Sequence, residues 1–107
     1  MPELRSPFRG AFGRADAERL ATALKALADP GRLRILGNLW HAGEASQIEI
    51  TRALGSLSQP TVSHHMSILA DAGFVSRRST PGGPTRYTLT PVGVIAVAGA
   101  VSPDVVR

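Results

Sequence analysis

The chain has 107 residues, 43% of them hydrophobic and 19% charged, a composition that fits one globular domain and excludes a chain disordered as a whole. Twelve basic against eight acidic residues give +4 at pH 7, and all but one of the basic residues are arginine, whose planar fork matches phosphate oxygens. The lack of cysteine excludes disulfides, thiolate metal sites and thiol redox switching; with no apolar run of membrane-span length and no signal-peptide core, the expected location is cytoplasmic.

Residues 1–15 read as a basic, flexible arm, with Arg5, Arg9 and Arg14 against Glu3 and with Phe8 and Phe12 as apolar anchors. Such an arm is either a frayed terminus or a segment that docks on a partner subunit or on DNA. Residues 16–107 read as the domain. Helical periodicity begins at Asp16, with Leu20, Leu24, Leu27 and Ala28 on one side and Glu18, Arg19 and Lys25 on the other. Asp29-Pro30 ends that helix and opens the next, Asp29 as N-cap and Pro30 in the first turn. The second helix offers Leu33, Leu36, Leu39 and Trp40 to the core, with Ile35 broadening the face, and stops at Gly43.

Ser46 and Glu49 have the spacing of a capping box, so a short third helix starts there and ends near Leu54-Gly55. Ser58 caps a fourth helix, whose core stripe is Val62, Met66 and Leu69 and whose stop is Gly73. The period then changes to two. Residues 74–78 and 85–89 flank Pro81-Gly82-Gly83-Pro84 and read as a β-hairpin. Thr90-Pro91 caps a last helix, and no charged residue stands between Pro91 and Val101.

Two short helices, a tight connection through Gly55-Ser56-Leu57 and a basic hairpin make a winged helix-turn-helix. The fold class is mostly α, an α+β winged helix of about five helices with a two-stranded β-hairpin wing. The second helix of such a pair lies in the major groove, where its N-terminal half meets base edges. Here that half presents Ser58, Gln59, Thr61, Ser63 and His64, while Val62 and Met66 point to the core. Gln59 has the paired donor and acceptor that adenine requires, and the hydroxyls suit bases or phosphates. Capping and plain solvation are the competing roles for Ser58, Thr61 and Ser63. Arg77, Arg78 and Arg86 on the hairpin are the candidate phosphate contacts, against simple solvation.

Leu27-Ala28-Asp29-Pro30-Gly31-Arg32-Leu33-Arg34-Ile35-Leu36 and Leu57-Ser58-Gln59-Pro60-Thr61-Val62-Ser63-His64-His65-Met66, continuing to Asp71-Ala72-Gly73-Phe74-Val75, resemble the two signatures of the ArsR/SmtB family of bacterial regulators. The resemblance covers about residues 16–101. It implies a homodimeric winged-helix protein on an inverted-repeat operator, usually a repressor released by an effector, commonly a metal ion. Two departures stand out. His64 replaces a frequent arginine, so the recognition helix carries no permanent positive charge. The family's thiolate sensor would place cysteines where Ser46 and Ile48 stand, and the last helix lacks the carboxylates and histidines of the other common sensor.

No metal is therefore required. Any metal sensed must be nickel, zinc or cobalt on nitrogen and oxygen donors, the candidates being His41 and Glu44 with Asp16 and Glu18 of another subunit. The favoured reading of His41 is a surface residue beside a helix C-terminus. His65, bordering the core stripe, reads as a semi-buried structural histidine. Ser63, His64 and Asp71 contain the residue types of a hydrolytic triad but diverge along one helix, so no enzyme is expected. Val92, Ile95, Ala96, Val97, Ala98, Ala100 and Val101 make the last helix apolar around most of its girth, which calls for burial in a homodimer. The readings from other classes are a metal-responsive regulator using those donors and a winged-helix interaction module working with a separate sensor protein.

Overall fold

The computed structural model describes residues 13–101, without the side chains of the last two, and the expectations for the arm before Gly13 lie outside that range. The elements in chain order are α1 (Arg14–Leu27), α2 (Pro30–Ala42), β1 (Ala45–Ser46), α3 (Gln47–Leu54), α4 (Gln59–Asp71), β2 (Val75–Arg78), β3 (Arg86–Leu89) and α5 (Pro91–Val101). The five helices appear where periodicity places them. Helix α1 starts two residues earlier than expected, because the Asp16 carboxylate reaches back to the Gly13 N–H at 3.1 Å and closes a turn that includes Arg14 and Ala15. The caps are formed as read. Asp29 accepts from the Arg32 N–H at 3.0 Å, and Ser46 and Glu49 exchange bonds of 3.2 and 2.8 Å. Gly55 at the helix-turn-helix corner and Gly73 after α4 both take positive φ, 73° and 87°, conformations that a side chain would strain.

The sheet has three strands rather than two. β1 pairs antiparallel with β3, Ala45 opposite Tyr87 and Ser46 opposite Arg86, and β3 pairs with β2, giving the order β1-β3-β2. A two-residue strand has no periodicity to read, and its partner is about forty residues away. The core gathers Ile35, Leu36, Leu39, Ile50, Val62, Met66 and Leu69, with Phe74, Val75 and Tyr87 from the sheet side. Leu33 and Trp40, expected in it, are exposed at 47% and 46%. They share a face about 100° around α2 from the buried one, since residues seven apart nearly superimpose on a helix. Leu20 and Leu24 of α1 are also exposed.

Candidate nucleic-acid interface

Helix α4 is divided lengthwise. Val62, His65, Met66 and Leu69 are buried, while Ser58, Gln59, Thr61, Ser63 and His64 are all exposed. The inward stripe fixes the outward one, because residues three and four apart share a helix face. Ser58 is first of all a cap: its Oγ accepts from the Thr61 N–H at 3.3 Å and its hydroxyl donates to Thr61 Oγ1 at 2.9 Å. The side chains of Gln59, Ser63 and His64 have no hydrogen bond among the described residues. Gln47 at the start of α3 donates through Nε2 to the Gln59 carbonyl at 3.2 Å, joining the beginnings of the two helices. A cavity of about 230 Å³ lined by Gln47, Ile48, Gln59, Pro84, Thr85 and Tyr87 shows that the part of the wing leading from its loop into β3 stands beside the same end of α4.

The wing arginines come together as strand pairing allows, and two of them carry ion pairs. Register places Arg78 opposite Arg86, as strand pairing requires, but carboxylates occupy both. Arg78 donates to Glu44 at 2.8 Å, and Arg86 donates through Nε to Glu44 at 3.1 Å and through an Nη atom to Glu49 at 2.7 Å. Arg86 is 25% exposed and Arg78 59%. Only Arg77 of the three makes no ion pair among the described residues. The Arg78 guanidinium, and after it Arg86, holds the Glu44 carboxyl below its ordinary range, while the Ser46 N–H does most of the same for Glu49. Two side chains of each sign make this cluster neutral. Sequence reading placed the arginines on the hairpin but could not see their partners, which β1 and the start of α3 bring up from far along the chain.

Behind α4, His65 joins three helices. Its Nδ1 lies 3.1 Å from a guanidinium nitrogen of Arg32, and since arginine only donates, that ring nitrogen accepts. The ring proton is then on Nε2, 3.5 Å from the Asp29 carboxylate. Arg32 also donates to the carbonyls of Ala26 at 2.6 Å and Lys25 at 3.2 Å, closing the end of α1. Burial pulls the His65 pKa down, Asp29 opposes this, and the charge on Arg32 adds to it.

The metal candidates do not converge within one chain. No group of three or more histidine or acidic residues with a metal-holding geometry occurs among the described residues. Glu44 is committed to two arginines, and Asp16 to Arg19 and the first turn of α1. Ser46, at a position where the family's thiolate would stand, is buried with its hydroxyl engaged in capping α3. These residues do not fit a thiolate-type metal centre. No helix among the described residues is long and apolar enough to cross a membrane.

Comparison with known proteins agrees with this geometry. A family model described as a helix-turn-helix domain matches residues 27–78. The arsenical resistance operon repressor of Staphylococcus xylosus is 43% identical over 72 residues, 67% of this chain and 66% of that protein. The chain spans 53% to 67% of the lengths of the curated relatives it matches. Among solved structures, the transcriptional repressor BigR from Xylella fastidiosa is 30% identical with a TM-score of 0.66, over 81% of this chain and 86% of that one. The homodimeric winged helix-turn-helix DNA-binding domain of a possible ArsR-family regulator from Mycobacterium bovis gives a TM-score of 0.73 at 26% identity, over 94% and 90% of the two chains. Sequence, fold and layout thus agree, and the chain belongs to the ArsR/SmtB family of winged helix-turn-helix transcriptional regulators.

Proposed function

We propose that the chain is a sequence-specific DNA-binding repressor that acts as a homodimer on an inverted-repeat operator in the cytoplasm. The observation that carries this reading is the split of α4, with a polar, hydrogen-bonding N-terminal half exposed beside the wing and an apolar stripe buried behind it. Ser58, Gln59, Thr61, Ser63 and His64 are assigned to the major groove, Gln59 to adenine, and Arg77 to phosphate. Relatives known as repressors support the direction of control. Gel shifts on duplexes from the chain's own upstream region test it. Replacing Gln59 by alanine is expected to relax preference at one base pair by about 1–3 kcal/mol while leaving non-specific binding unchanged. A wild-type chain that assembles but binds no duplex at moderate salt would be an interaction module instead.

The protein acts by binding rather than by catalysis, and DNA binding requires no metal. Support for the second statement is chemical: Glu44 is neutralised by arginine, and the candidate donor set holds a single histidine, His41, beside carboxylates. Calorimetric titration with nickel, zinc and cobalt should show no stoichiometric binding that disappears in His41→Ala and alters duplex affinity. A separate sensor protein is then the source of regulation. Titrations showing such binding would replace this with the metal-responsive reading.

A further inference from the structure

The neutral cluster at the loop end of the wing's paired strands has a functional consequence that its position dictates. Arg78 and Arg86 carry two of the three formal charges on the wing, and Glu44 bridges them, one carboxylate oxygen to each. Glu49, in the first turn of α3, holds Arg86 from the other side and is itself fixed by the Ser46 N–H at 2.8 Å. That turn begins with Gln47, which touches the first residue of α4, so the cluster borders the proposed DNA face rather than the back of the domain. An arginine that neutralises a DNA phosphate gains affinity as cations condensed on the duplex are released; one that must leave a carboxylate to do so gains little. We propose that Glu44 sets DNA affinity by withholding Arg78 and Arg86 from phosphate, so that the wing supplies little sequence-independent binding and selection rests on α4. This inference rests on the DNA-binding reading above.

Salt dependence separates this arrangement from a purely structural one. Affinity for an operator duplex and for an unrelated duplex of equal length is measured across a salt series. Glu44→Gln keeps the size of the side chain and removes its charge. It is expected to bind both duplexes more tightly, roughly five- to tenfold per new phosphate contact near 0.1 M salt, with a log–log slope steeper by about one. Arg78→Ala in the wild-type background should leave the slope nearly unchanged, whereas in the Glu44→Gln background it should remove the added steepness. Circular dichroism and melting of each variant check that the wing remains folded. Folded Glu44→Gln with the wild-type slope on both duplexes overturns the proposal and leaves DNA binding standing. So does an Arg78→Ala slope reduced by one in the wild-type background. A wild-type chain that binds neither duplex overturns the DNA-binding reading itself, and this proposal with it.

Discussion

His65 shows how one residue of the recognition helix connects to the rest of the molecule. Its ring accepts from Arg32, which in turn holds the last carbonyls of α1, and its other nitrogen faces Asp29, the cap of α2. The sequence indicated a semi-buried structural histidine because the residue borders the Val62/Met66 stripe; it could not indicate Arg32, thirty-three residues away, as the donor. Protonating Nδ1 removes the acceptor and places a cation against the guanidinium, and His64 adds a further like-charge interaction. Because burial above all depresses the folded-state pKa below the ordinary 6.5, the unfolded chain takes up the proton first as pH falls. Stability from this residue is therefore full above about pH 6.5 and is lost as pH drops through the interval below it. Thermal melts from about pH 7.5 to about pH 5.5 should show a falling melting temperature, and His65→Gln should flatten that slope. Asp29, Glu44 and Glu49, all held below their ordinary ranges, stay ionised throughout and lose their contributions only in stronger acid. A slope that is identical in the variant would assign the pH dependence to another group.

At the scale of elements, legibility follows the distance over which a signal acts. Asp29, Ser46 with Glu49, and Ser58 are caps whose partners lie three residues away, and each is found where the sequence places it. The third strand and the arginine–glutamate cluster depend on pairings 34 to 42 residues apart, and nothing local encodes them. Helix α5 has a feature of the same kind. Thr90 donates to the Gly73 carbonyl at 2.6 Å and its N–H to the Phe74 carbonyl at 3.1 Å, which brings the start of α5 down onto the end of the α4–β2 connection. A Cβ on Gly93 would stand 2.2 Å from the Phe74 carbonyl oxygen, which is backbone and cannot turn aside. Gly93→Ala should therefore lower stability by about 1–3 kcal/mol in urea denaturation, despite the better helix propensity of alanine. Gly37→Ala in α2 meets nothing within 4 Å and should raise stability by up to about 1 kcal/mol. If both variants shifted stability in the same direction, the close approach of α5 to Phe74 would not be the cause.

Across the whole molecule, the large side chains that periodicity marks as apolar and that one chain leaves exposed include Leu20 and Leu24 on α1 and Val92, Val94 and Ile95 on α5. Hydrophobic spacing reports that a face is to be buried, not which chain buries it, so α1 reads the same whether its stripe meets its own core or a second subunit. Ile95 is the most exposed at 72%, whereas Val97, two residues on, is buried in the chain's own core. That separation makes Ile95 a probe of association alone. Ile95→Asp puts a charge where an apolar contact between subunits is proposed and removes nothing from the monomer's core. Sedimentation of this variant should show the mass of one chain at concentrations where the wild type is a dimer, with an unchanged circular dichroism spectrum. Two recognition helices related by a two-fold axis reach successive major grooves only when both subunits are present. Affinity for the full inverted repeat should therefore fall in Ile95→Asp to about that for an isolated half-site, with base preference within the half-site retained through Gln59. A variant that remains a dimer, or a monomeric variant that still binds the full repeat as tightly as wild type, would show that the exposed face of α5 does not hold the subunits together.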